Sequence, residues 1–301
     1  MWKKLITLAA GLACLAAPTR AQKTFTTPED ARDALIQAAK SGPDAIRTLM
    51  GPDSADILRT GDAIEDKNIL AEFNERAAQK VVLQRDDMNP HQVELEMGND
   101  GWPFPIPLVE KNGAWHFDIK EGKAEIRRRI IGNNELDAID VCRGYVDAQQ
   151  RYAETDWKGD GVHQYAQRIV STAGKKDGLY WPGPDSPVAE AFARAFSQGY
   201  TTSDKTKPFR GYYYKILLAQ GPDAKDGAEE YLAHGYMIGG FALVAWPAEY
   251  RVSGIKTFIV NQDGTVFEKD LGPQTAALAK AMTKFNPDES WDVSPEDASD
   301  N

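Results

Sequence analysis

Met237-Ile238-Gly239-Gly240-Phe241-Ala242-Leu243-Val244-Ala245-Trp246-Pro247 is the stretch on which the fold turns. It is apolar throughout, with two glycines near its start. A bilayer span needs about 20 such residues, and this run falls well short. It reads instead as an apolar strand over 237–246. Gly239-Gly240 marks a bulge or the close packing of a helix on a sheet. No Lys-Ser/Thr or Gly-x-Gly pattern follows, which favours this reading over a phosphate loop. Further strand patterns flank it at 211–219, 256–260 and 265–269, and Asn261-Gln262-Asp263-Gly264 joins the last two as a hairpin. A helix over 275–285 follows Pro273.

Upstream, Leu136, Ile139, Cys142, Val146 and Ala153 lie on a helical stripe. Gly132-Asn133-Asn134 breaks a basic helical link over 125–131, and Asn134 is placed to cap the helix that follows. Two further helices are expected at 161–171 and 187–198. These elements make a domain over 133–285 with a long N-terminal helix and an antiparallel sheet. The tail over 286–301 is acidic and carries Pro and Ser, which predicts a loose end.

The front half changes period midway. Thr27-Pro28-Glu29-Asp30 is a helix start, with a hydroxyl cap, Pro at the first helical position and acids in the first turn. Ser41-Gly42-Pro43 stops this helix. A short helix over 45–50 and a third helix over 64–79 follow. Strands are then expected at 80–84, 92–97, 106–110 and 114–118, with Lys111-Asn112-Gly113 as a hairpin turn. Trp102-Pro103-Phe104-Pro105-Ile106-Pro107 is forced to be extended, and its missing amide donors suit an edge strand closed to strand addition. The alternative is a rigid aromatic docking segment. The fold class is therefore α+β in two domains, 22–132 and 133–285, each with helices packed on an antiparallel sheet.

Residues 1–21 read as a secretory signal peptide: basic Lys3-Lys4, an apolar core from Leu5 to Ala17, and Thr19-Arg20-Ala21 as a cleavage site. The mature chain is expected to start at Gln22 in the periplasm or outside the cell, with no transmembrane segment. Cys14 falls in the leader and lacks the setting of a lipid-anchored cysteine, so Cys142 is left alone and no intramolecular disulfide forms. On its helical stripe Cys142 reads as a small buried hydrophobe. The whole chain carries a net charge of −10, and removing the leader takes away Lys3, Lys4 and Arg20 but no acid. Such a field repels nucleic acid and anionic lipid, so no nucleic-acid partner is expected. The signatures of zinc hydrolases, dithiol redox proteins, serine hydrolases and P-loop enzymes are all missing, and no cofactor is implied.

Three sets of residues are candidates for a site. Asp156-Trp157-Lys158-Gly159-Asp160-Gly161 follows a calcium loop, with Asp156 and Asp160 as ligands and Gly161 as the turn glycine. Lys158 and Gln167 stand where oxygen ligands belong, which favours a polar turn of the same shape. Trp181, Tyr213, Trp246 and Tyr250, in aromatic-rich stretches, could line a carbohydrate or peptide groove together with Glu249. The competing reading is rings that bridge core and surface. Glu249, Asp177, Glu268 and Asp270 could supply a carboxylate pair for glycoside cleavage, although spacing selects no two of them.

Trp102-Pro-Phe-Pro-Ile-Pro107, Asp177-Gly-Leu-Tyr-Trp181, the run from Met237 to Tyr250 and Asp270-Leu-Gly-Pro273 together resemble a bacterial envelope family, domain of unknown function 2950. The resemblance covers nearly all of the chain after the leader and implies an exported protein. It carries no assigned catalytic residue. Family members have a more acidic segment where Lys158 stands. More loosely, the front half is similar to NTF2-like cone domains, and the back half to the globular heads of pilin-type proteins without their anchor helix. The expectation is a non-catalytic binding or envelope-associated factor that recognises an envelope protein or a cell-wall ligand. The competing class is a metal-independent hydrolase of cell-wall glycan or peptide, and a third is a purely structural module.

Overall fold

The computed structural model describes residues 22–55, 57, 63–86, 88–188 and 208–295. The leader lies outside these residues, as does nearly all of the helix expected at 187–198. The chain divides into two compact units, Met1–Ile126 and Arg127–Asn301. Both are mixed α+β, as the periodicities predict.

In the first unit, α1 (Pro28–Ser41) starts where its cap does: Thr27 Oγ1 accepts the Asp30 amide at 3.1 Å. Gly42 ends α1, and Gly51 ends α2 (Pro43–Met50), at φ 100 and 84, values that a Cβ would strain. After α3 (Ala63–Gln79) come β1 (Val81–Asp86), β2 (Asn89–Met97), β3 (Trp102–Pro103), β4 (Leu108–Lys111) and β5 (Ala114–Phe117). They form an antiparallel sheet in the order β1-β2-β4-β5, with β3 against β2. Val93, Leu95 and Met97 of β2 are buried in strict alternation. Val93 and Leu95 pack with Leu35, Leu49, Leu108 and Phe117, each such burial contributing about 1.5–3 kcal/mol. Asn112 and Gly113, at φ 55 and 76, make the tight β4–β5 turn. β3 pairs with β2 through Trp102 and Pro103, and the Phe104 amide, between the prolines, donates to Leu95 O at 2.7 Å.

The division between units falls within α4 (Ile119–Ala153), which runs unbroken through Gly132-Asn133-Asn134. The expected break is thus corrected, and the reason is tertiary. Asn134 Nδ2 donates to Ser253 O at 2.8 Å, and Glu135 Oε1 accepts the Ile255 and Lys256 amides at 2.8 and 3.0 Å. Asn134, a poor helix former, thus has a partner distant in sequence, and Glu135 beside it ties the helix to the same turn.

The second unit continues with β6 (Tyr212–Leu217), β7 (Ala219–Gln220), β8 (Glu229–Glu230), β9 (Leu232–Ala233), β10 (Tyr236–Met237), β11 (Ala242–Pro247), β12 (Lys256–Asn261), β13 (Val266–Asp270), α5 (Thr275–Ala281) and β14 (Asp292–Val293). The main sheet runs β14-β13-β12-β11-β6, all antiparallel, and β7–β8 and β9–β10 are short pairs. Every residue of β11 is buried, so both of its faces are covered. Lys215, paired with Val244 on β11, reaches the C-terminus of α5 and donates to the Ala279, Lys280 and Met282 carbonyls. Burial alone lowers the Lys215 pKa, but an ammonium that caps a helix C-terminus through three carbonyls favours its charged form. Helix α4 adds Ala138, Cys142 and Tyr145 to the same core, and Cys142 is fully buried.

Three further expectations are corrected. The strand expected over 237–246 is split, because the chain crosses the buried Tyr231 at Gly239-Gly240. A Cβ on Gly240 would lie 2.7 Å from Tyr231 Cε1, and one on Gly239 would lie 2.7 Å from Glu230 O. The close packing is against this ring rather than a helix. Residues 161–171 are irregular, not helical. Their backbone groups bond outward: the Tyr165 amide to Met237 O, Ala166 to the Gln149 side chain, and the 168–171 stretch to residues 179 and 180. The tail is ordered over 286–294: Val293 pairs with Phe267, and the buried Ser294 donates its amide to Val266 O at 2.9 Å. Among the described residues no helix is long and apolar enough to cross a membrane.

Candidate functional site

Beyond the end of α4, residues 154–188 hold no helix and no strand longer than a bridge. Side chains organise this stretch instead of a backbone ladder. Asp156 Oδ1 accepts the Lys158 and Gly159 amides at 3.1 and 2.9 Å, and Oδ2 accepts the Gly161 amide at 2.7 Å. The Gly161 bond leads the set that holds the Asp156 carboxyl below the usual range. Asp160 accepts the Val162 amide at 3.2 Å and the Tyr236 hydroxyl at 2.8 Å. Lys158 Nζ lies 4.5 Å from the centre of the Tyr236 ring and 3.4 Å from Gln164 Oε1. The proposed calcium ligands are therefore engaged in holding the turn. Among the described residues no three His, Cys, Asp or Glu side chains converge as a metal site would require.

Next to this turn stands an aromatic box. The Trp157 and Trp181 rings meet edge to face at 4.7 Å, and the Tyr152 ring lies 6.1 and 6.4 Å from them. Each wall is tied by its own polar atom. Trp157 Nε1 donates to Tyr152 O at 3.0 Å, and Trp181 Nε1 donates to Asp185 Oδ1 at 2.9 Å. The Tyr152 hydroxyl donates to Lys176 O at 2.8 Å. Burial chiefly, and the Asp177 charge secondarily, push that hydroxyl up to about 12, so it stays protonated. Lys176 Nζ sits 4.5 Å from the Trp157 ring centre and 5.2 Å from that of Trp181, and it pairs with Asp185 Oδ2. The Lys176 ammonium, then the Trp181 indole N–H, hold the Asp185 carboxyl below its ordinary range.

Of the residues singled out in the sequence, only Trp181 belongs to this box. Tyr213 and Trp246 form a cross-strand pair, ring centres 5.9 Å apart, at the far end of β11. Trp246 is buried, and its indole nitrogen has no hydrogen-bond partner among the described residues. Glu249 is exposed in the turn after β11, and Tyr250 donates its hydroxyl to Asp270 at 3.1 Å. That turn is tied to α4 through Asn134, whereas the box is tied through Tyr152. The rise of the helix sets the two about 27 Å apart. Asp177 accepts the amide and hydroxyl of Thr172 at 2.7 and 2.8 Å. Burial pushes its pKa up, but these bonds and the Arg168 charge outweigh it and hold the carboxyl low. Glu268 pairs with Lys256 at 2.9 Å. Sequence reasoning missed Trp157, Lys176 and Asp185. Trp157 lies inside the hexapeptide read only as a calcium loop, and Lys176 and Asp185 flank the stretch that holds Trp181.

In the first unit, a cleft of about 380 Å³ opens where α4 begins, between Gln22, Asp53, His116 and Lys120. Gln22 Nε2 donates to Phe117 O at 2.5 Å, and Asp118 Oδ1 accepts the Glu121 amide. Its lining mixes acid, base and amide, and selects no ligand charge.

The fold and this arrangement define a two-unit α+β protein with an aromatic box on an irregular loop. The chain belongs to the family described as protein of unknown function DUF2950, whose model matches residues 22–293. No curated protein and no solved structure matches the chain, so the NTF2-like and pilin-head likenesses find no support in these comparisons.

Proposed function

We propose that this is an exported envelope protein that works by binding a ligand or partner rather than by catalysis, and that the Trp157–Trp181 box is its binding site. The observation that carries this reading is a pair of indoles locked in place by their own N–H groups beside a half-exposed carboxylate. Rigid aromatic walls with one polar anchor are the usual makings of a small recognition site. The family match begins at Gln22, the first residue after the expected cleavage site, which supports export. Two measurements test the reading. Osmotic-shock fluid from the native host should contain a chain whose mass begins at Gln22; uncut cytosolic chain would refute export. Tryptophan emission should change on titration with soluble cell-wall fragments and stop changing in Trp157→Ala; an unaltered response in that variant would move the site elsewhere.

A further inference from the structure

We infer that the Trp157–Trp181 box recognises an alkylammonium group, such as the side chain of a lysine or diamino acid in a peptide, and that Lys176 is a tethered occupant which the ligand displaces. This rests on the binding reading above and names its ligand class. Lys176 itself shows the chemistry. Its ammonium lies over two indole faces and against Asp185, a combination of π faces and one carboxylate that selects a cation. Three features distinguish this from an ordinary internal contact. Each wall has a hydrogen bond of its own besides the lysine: Trp157 to Tyr152 O, and Trp181 to Asp185 Oδ1. The Lys176 backbone is held separately, by the Tyr152 hydroxyl at 2.8 Å, so its side chain can swing out without moving the chain. The charged rim is exposed, with the Lys176 side chain 40% and Asp185 51% exposed, while Trp181 and Tyr152 behind it are buried. When Lys176 leaves, Asp185 stays oriented by the Trp181 N–H, and a second ammonium can take the vacated oxygen. The acidic chain as a whole favours the approach of cations.

A tethered competitor acts at millimolar effective concentration or above, so the wild type should bind a free ammonium weakly, and removing the tether should expose the site. The test is calorimetric titration of wild type and Lys176→Met with Nα-acetyl-lysine N-methylamide. Its Nε-acetylated form serves as the uncharged control. Lys176→Met should bind the charged probe about tenfold more tightly than wild type. It should ignore the acetylated one and lose binding when Trp157→Ala is added. A folded Lys176→Met protein that does not distinguish the two probes overturns the inference. If that variant does not fold, wild type is titrated with n-butylammonium while the Lys176 side-chain resonances are followed. Saturable movement supports displacement, and resonances that stay fixed overturn it. Should the ammonium probes fail while Trp157→Ala still abolishes binding of wall fragments, the ligand class is wrong and the binding reading stands. Loss of both refutes the two together.

Discussion

The main sheet of the second unit and the stretch over 154–188 are held by different physics. The sheet is held by burial: Val244, Phe258, Ile259 and Val260 are wholly removed from water, and any apolar residue of the right size could serve at most of these positions. The irregular stretch is held by particular atoms. Asp156 collects three amides, Gln149 takes both the N–H and C=O of Ala166, and Asp177 takes the amide and hydroxyl of Thr172. A backbone without a ladder must find its partners in side chains. The candidate site lies on the second kind of structure, where loops are free to carry function because the scaffold beneath them is rigid.

This contrast predicts a hierarchy of effects. The largest falls on the sheet. Phe258→Ala should destabilise the second unit by about 3–5 kcal/mol through lost burial and the cavity left behind, read by denaturant unfolding followed in the far ultraviolet. A loss below about 1 kcal/mol would show that the sheet is less tightly packed than its burial implies. Gln149→Leu comes next. Gln149 is fully buried, and the exchange strands two backbone groups of Ala166 at about 1–3 kcal/mol for each group left unsatisfied. Its signature is local: hydrogen exchange should quicken at Ala166 and its neighbours before the sheet responds. Uniform quickening throughout the unit would remove the distinction between the two regions. Asn134→Ala should do little, below about 1 kcal/mol. The lost bond to Ser253 O is offset by the better helix propensity of alanine. A larger loss would mean that the turn over 248–254 depends on that single bond.

What the sequence disclosed follows the same division. Period-2 alternation in Val93, Leu95 and Met97, the Thr27 cap and the Asn112-Gly113 turn are local signals, and each element formed where they point. The breaks expected at Gly132-Asn133-Asn134 and the helix expected over 161–171 failed because their backbone is governed by residues far away in sequence. Asn134 answers to Ser253, and Ala166 answers to Gln149. Over 286–294 the expected loose tail failed for the same reason, since β14 needs β13 to exist. At the site, Trp181 stood out as one aromatic among several. Its wall partner Trp157 and its carboxylate Asp185 come together only through the path of the loop.

The smallest effect isolates the irregular stretch without any mutation. The Asp156 and Asp177 carboxyls are held below the ordinary range by hydrogen bonds that exist only when the loop is formed. Groups depressed in the folded state stabilise it fully above their unfolded pKa, about 3.9 for aspartate, and lose that contribution as pH falls through the folded values. Acid should therefore loosen the loop below about pH 4, while the sheet, whose buried positions carry no such carboxyls, keeps its ladder. The amide resonances of Gly159, Gly161 and Thr172, which donate to these carboxylates, report the event directly. Their pH midpoints should lie below about 3.9, with sheet amides such as Val244 unmoved over the same range. Midpoints at or above that value would mean that the bonds do not favour the charged form. Joint movement of loop and sheet amides would mean that the two regions open as one, which would end the comparison on which this hierarchy stands.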